Sequence, residues 1–143
     1  MAKKIVVLLD ELSLQAHEDG KVVMEFAMVP GDGNHPTPTG CFTIRSKHKV
    51  YRSKKYDAQM NYAMFFKDTG EAIHQYHGVI PVWLLKSMRK TSDWIGSHGC
   101  ARLDEDNAKN LFEWTPVGTL VVVGNKTSLP SCPVTPKPKK KKK

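Results

Sequence analysis

The sequence predicts a mostly β domain, a β-sandwich or partly open barrel, with a helix near its C-terminal end. Short apolar or alternating runs recur between Gly, Pro, Asn and Asp positions, and only two segments carry helical spacing. The length, 143 residues, fits one domain, which at this size buries roughly two-thirds of its unfolded surface without a metal or disulfide staple. Hydrophobic residues at 40% and charged residues at 25% are ordinary for a globular chain and exclude wholesale disorder.

Lys4 to Leu9 is β-branched and apolar, the composition of a buried strand. Leu12 to His17 alternates, Asp19-Gly20 marks a two-residue hairpin turn, and Lys21 to Met28 returns as the partner strand. Pro30 to Gly40 is a loop by its Gly, Pro, Asn and Thr content. Cys41 to Arg45 and Tyr62 to Phe66 read as strands, and Asp68-Thr69-Gly70 turns into a strand over Glu71 to His74. Val82 to Met88, behind Pro81, has the spacing of a short helix. Asp104 to Trp114 opens with carboxylates, which suit a helix N-terminus, and repeats apolar residues with helical period. Gly118 to Val123 is the closing strand. The domain is expected over 1–127, followed by a disordered Pro/Lys-rich tail over 128–143 that folding does not require.

The net charge of +8 sits largely in that tail: Lys137 and Lys139 to Lys143 supply six charges and leave +2 for the rest. A nearly neutral body does not suggest a broad phosphate-binding face. The tail itself reads first as a solvated segment, then as an attachment to an anionic polymer or surface, and last as a source of acceptor amines. No apolar run approaches the ~18 residues of a membrane span. The five apolar residues after Lys4 are too few for the core of a secretory signal, so the compartment is left open. Cys41, Cys100 and Cys132 cannot all pair within the chain and none forms C-x-x-C, so neither a disulfide framework nor structural zinc is expected. Cys41 reads as a buried strand residue and Cys132 as an exposed tail thiol.

The chemically informative string is Ser97-His98-Gly99-Cys100-Ala101-Arg102-Leu103. A thiol beside an imidazole and entering a helix would be biased toward thiolate, and Gly99 allows close backbone approach and free N–H groups for an oxyanion. A small buried cysteine beside a structural histidine is the plainer reading of those residues alone.

Four ordered blocks go further. Ser97-His98-Gly99-Cys100 with Arg102-Leu103, Thr37-Pro38-Thr39-Gly40 with Phe42-Thr43-Ile44, Tyr62-x-Met64-x-Phe66 with Gly70 to His74, and Val117-Gly118-Thr119-x-Val121 resemble the catalytic domain of the L,D-transpeptidases. These are β-rich cysteine enzymes that cross-link bacterial peptidoglycan. The resemblance covers residues about 3 to 124. It implies a fold of the L,D-transpeptidase catalytic type, with a helix after the catalytic cysteine. Cys100 is then the nucleophile attacking the carbonyl of a stem-peptide diamino acid and expelling the terminal D-alanine. His74 is the general base, His98 belongs to the catalytic set, and Ser97, Gly99 and Arg102 shape the substrate and oxyanion sites. The resemblance implies no cofactor, no metal, peptidoglycan stem peptides as partners, carbapenem-type inhibitors, and action in the periplasm or cell wall.

Two readings compete with transpeptidation: an L,D-carboxypeptidase, with water as acceptor, and a non-catalytic basic wall-binding module. The sequence departs from the family in spacing. It has 22 residues between His74 and Ser97, where the family motif usually has about fifteen. The excess reads as an insertion or lid, and it makes His77, followed by Gly78, an alternative base.

Overall fold

Asp19 and Gly20 both take positive φ, 54° and 84°. That geometry matches the twist of the flanking strands, so β2 (Ser13–Glu18) and β3 (Lys21–Ala27) pair with Glu18 opposite Lys21. The computed structural model describes residues 2–30, 37–53, 58–76 and 100–132. The remaining strands are β1 (Lys3–Leu8), β4 (Gly40–Thr43), β5 (Ser46–His48), β6 (Arg52–Ser53), β7 (Ala58–Gln59), β8 (Ala63–Phe65), β9 (Ala72–Gln75), β10 (Ala101–Leu103) and β11 (Leu120–Gly124), with helix α1 over Glu105–Trp114. The helix expected over 82–88 lies outside the described residues.

One sheet has the order β3-β2-β1-β11-β4 and the other β10-β9-β8-β5, with β6 and β7 as a separate ribbon. Each large sheet is antiparallel except for one parallel pair, β1 with β11 and β10 with β9. Strand periodicity selects the core. Ile5, Val7, Leu14, Ala16, Val121 and Val123 line one face of the first sheet, and they cluster with Met64, Ile73, Ala101 and Leu103 from the second. Ala108 and Leu111 of α1 complete that cluster. Leu111 has no exposed surface, so truncation to Ala should cost about 2–5 kcal/mol.

The helix starts with Glu105 and Asp106 in its first turn, as the charge pattern predicted, but has no basic residue in its last. Its C-terminal carbonyls are met by lysines from the strands instead. Lys47 Nζ donates to Phe112 O and Thr115 O, both at 2.6 Å, and Lys3 Nζ donates to Trp114 O at 2.8 Å.

The cysteine expectations fail here. Cys41 is exposed, and it forms a disulfide with Cys132 across 91 residues, with Cα atoms 5.8 Å apart. The reason lies in strand phase: Phe42, not Cys41, packs against the core from β4. Chain reversal after β11 then carries residues 125–132 back to β4. Gly124 is where the returning segment touches down, since a Cβ there would sit 2.8 Å from Pro130 Cδ. Residues 128–132, expected in the tail, therefore lie against the domain.

Candidate active site

Sheet alternation gives β8, β9 and β10 two different faces. Met64, Ile73, Ala101 and Leu103 face the main core. Their neighbours face the other way: Ala63 and Ala72 join Met60 and Cys100 in a second buried cluster, with Tyr51 and Phe65 packed against it. The parallel register sets Ala101 opposite Ile73 and Arg102 opposite His74. Ladder phase thus brings Ala72, His74, Cys100 and Arg102 to one face, although 25 residues lie between His74 and Cys100 in sequence. β10 is held on its other edge by Val29, through paired backbone bonds with Arg102 of 2.9 Å each.

His74 is buried, and its Nδ1 lies 2.8 Å from the carbonyl oxygen of Gln75. A carbonyl only accepts, so Nδ1 carries the hydrogen and a neutral ring keeps Nε2 as its basic nitrogen. Cys100 is 3% exposed, and its thiol lies 3.9 Å from the carbonyl oxygen of Gly70 as donor. Gly70 has φ 102°, a conformation glycine adopts readily and other residues rarely do, and this sets the turn whose carbonyl meets the thiol. Burial pushes the thiol up to about 11; a backbone hydrogen bond from Ala72 and the charge of Arg102 pull it down, and the Glu71 carboxylate pushes it up.

This corrects the activation expected from sequence. Cys100 does not enter a helix: β10 intervenes, and α1 begins five positions later at Glu105. The helix dipole falls off within its first turn, so it is not what tunes this thiol. The helix does follow the cysteine, one strand later.

Arg102 lies over the Tyr76 ring, 5.3 Å from its centroid. Burial raises the Tyr76 phenol, Arg102 lowers it and Asp104 raises it, with a net upward shift. Beyond Phe65, His48 stands opposite Ala63 in register, with ring centroids 5.3 Å from Tyr51 and 5.7 Å from Phe65. Of the residues singled out in sequence, Cys100, His74 and Arg102 share the site face. Ser97, His98, Gly99 and His77 lie outside the described residues. Gly70 and Tyr76 were missed as site residues; Tyr76 carried a signal, being two positions from His74 on the same strand phase.

The chain matches the family model of the L,D-transpeptidase catalytic domain, YkuD, over residues 2–123, and it belongs to that family. Among solved structures, an L,D-transpeptidase from Stackebrandtia nassauensis is 31% identical with a TM-score of 0.74, over 87% of this chain and 57% of that one. A cysteine-to-serine mutant of the Enterococcus faecium L,D-transpeptidase is 28% identical with a TM-score of 0.71, over 87% of this chain and 50% of that one. An avibactam carbamoyl enzyme described as Ldtfm is 28% identical with a TM-score of 0.72, over 88% of this chain and 50% of that one. The chain thus spans between half and three-fifths of the length of these three structures. A search of curated proteins returned no match.

Proposed function

We propose that the chain is a cysteine acyltransferase acting on peptidoglycan stem peptides, with Cys100 as nucleophile and His74 as general base. The observation that carries this reading is the ladder phase that puts His74 and Cys100 on one face of adjacent parallel strands. As Sγ attacks the diamino-acid carbonyl, its proton passes to His74 Nε2 and the carbonyl oxygen becomes an oxyanion. The N–H groups of Gly99 and Cys100 are the donors assigned to that oxyanion, with Ser97 and His98 shaping the site. Collapse breaks the C–N bond, and the departing D-alanine amine takes the proton back from His74. The thioester is then attacked by an amine acceptor, which gives its proton to His74; the C–S bond breaks and Sγ is reprotonated.

The high-lying thiol supports proton removal at the moment of attack rather than a standing thiolate. Arg102 supplies the positive charge on this face, suited to a substrate carboxylate. The Cys41–Cys132 disulfide fits an oxidising compartment, where wall polymer is found.

The test is the mass of the intact protein after exposure to a stem tetrapeptide or a carbapenem. One acyl group on wild type and none on Cys100→Ala is the expected result. Acylation of Cys100→Ala would overturn the nucleophile. No acylation of folded wild type by either reagent would leave the wall-binding module as the better reading.

A further inference from the structure

A groove of about 400 Å³ opens beside β4, at the edge of the first sheet. That volume is in the range of a small-molecule site. Both cysteines of the Cys41–Cys132 disulfide line it. Its apolar floor includes Phe42 and Phe66, whose rings pack 5.4 Å apart. Its charged residues are Arg45, Lys67 and Asp68, two cations and one carboxylate. A ligand that answers this set carries two carboxylates and one ammonium. A ligand that also uses the disulfide wall carries a thiol.

We infer that the groove is a binding and exchange site for a small acidic peptide thiol, which joins Cys41 as a mixed disulfide. Arg45 and Lys67 take its carboxylates, Asp68 takes its ammonium, and Phe42 and Phe66 pack its methylene groups. The two cations also favour the incoming thiolate over its thiol. The thiolate attacks Cys41 Sγ. A new S–S bond forms there as the Cys41–Cys132 bond breaks, and the bonding pair leaves on Cys132 Sγ. The proton given up by the incoming thiol ends on Cys132, so the exchange balances with no further oxidant or reductant.

The direction of attack follows from how each cysteine is held. Cys41 is exposed, and its strand is laddered to β11 with Cys41 opposite Val122. Cys132 is half-buried and lies on the returning segment 125–132, outside both sheets. That segment is pinned by the Lys126 N–H, which donates to Asp10 Oδ1 at 2.9 Å, and by the packing of Pro130 on Gly124. The adduct therefore sits on the sheet, and the sulfur that departs belongs to the segment outside it. Neither Cys100 nor His74 takes part, so this inference stands apart from the acyl chemistry.

The experiment uses the full chain with its disulfide formed, exposed at low salt to glutathione, 2-mercaptoethanol or cysteamine. These thiols are acidic, neutral and cationic. Samples are quenched with acid, blocked with a maleimide and weighed, and each rate is divided by that thiol's rate with hydroxyethyl disulfide, an uncharged reference. Glutathione should have the highest normalised rate, and its rate should saturate with concentration because binding precedes exchange. The rates of the other two should rise linearly. Peptide mapping should place glutathione on Cys41 and the maleimide on Cys132. The double variant Arg45→Gln/Lys67→Gln keeps the disulfide and should slow glutathione roughly two- to fivefold per cation removed, the size of an exposed charge pair. Its rate with 2-mercaptoethanol should match the wild type, which shows that the disulfide is presented unchanged. A normalised glutathione rate no higher than that of 2-mercaptoethanol, or one unchanged in the double variant, would overturn the binding site. Glutathione found on Cys132 or Cys100 would overturn the assignment of Cys41.

Discussion

Arg102 stands opposite His74 across the parallel β9–β10 ladder, so a cation and an imidazole share the face that also carries the Cys100 thiol. The backbone imposes this arrangement: β10 is bonded to β9 on one side and to Val29 on the other. The ladder therefore fixes which side chains can cooperate before any of them reacts.

His74 is the first residue this relationship tests. His74→Ala should slow acylation of Cys100 by on the order of a hundredfold or more, the range of a positioned general base. His77→Ala should cost much less. Single-turnover acylation measured by mass spectrometry decides it; the reverse order would move the base to His77. Far-ultraviolet circular dichroism of each variant separates a lost base from a lost fold, because His74 is buried.

The Cys100 thiol gives a second test, through pH. Its folded value is about 11 against an ordinary 9.0, so between those values the unfolded chain releases the proton first. The folded state then binds more protons than the unfolded one, and stability falls as pH rises through that window. Two units correspond to about 3 kcal/mol at the top of the window. Urea unfolding of wild type and Cys100→Ala from pH 8 to 11 should show the two curves diverging, with the wild type losing more. Curves that stay parallel would show that the thiol is no higher in the folded protein than in the unfolded one.

Much of this architecture was legible in the sequence because strands and turns leave local marks. Asp19-Gly20, the alternation around Leu14 and Ala16, and the acid-led helix at 105–114 each follow from residue type and period. Strands of two or three residues, such as β5, β6 and β7, are too short for a period to declare itself. β10 was masked by its neighbour: Ala101-Arg102-Leu103 runs into the helical pattern, so the thiol looked like a helix-start residue. The Cys41–Cys132 pairing has no local mark, since it depends on where residues 125–132 return in three dimensions. The candidate site was legible as residue types, while the shared face of His74 and Cys100 required the β9–β10 register.

Lys47 is the third case, a strand residue that completes a helix. Its ammonium donates to Phe112 O and Thr115 O and lies 4.4 Å from the centroid of the Phe112 ring. Burial, with help from the charge of Lys3, lowers its pKa, yet it remains the donor for two carbonyls at the end of α1. Lys47→Met keeps the aliphatic stem and removes the donors. It should destabilise the domain by about 1–3 kcal/mol, the range for leaving such groups unsatisfied at a helix C-terminus. Thermal melts measure the loss, and acylation of Cys100 at a temperature where the variant is folded should be unaffected.

The Cys41–Cys132 disulfide closes a covalent loop with a sequence separation of 91 residues. Constraining so long a loop in the unfolded chain should stabilise the fold by at most about 4–5 kcal/mol. For a domain of this size each kcal/mol shifts the melting temperature by roughly 2–4 °C, so Cys41→Ser should lower it by at most about 10–20 °C. Gly124→Ala probes the same contact without touching sulfur, because its Cβ would fall 2.8 Å from Pro130 Cδ and drive the returning segment off β11. It should lower the melting temperature less than Cys41→Ser does, since the covalent loop persists. Differential scanning calorimetry of wild type, Cys41→Ser and Gly124→Ala, each with and without reductant, orders these effects. Reductant should lower the wild-type melting point to near that of Cys41→Ser and leave Cys41→Ser where it was. A wild type indifferent to reductant, with free thiol titration confirming that the bond is broken, would show that the covalent loop contributes nothing to the stability of the domain.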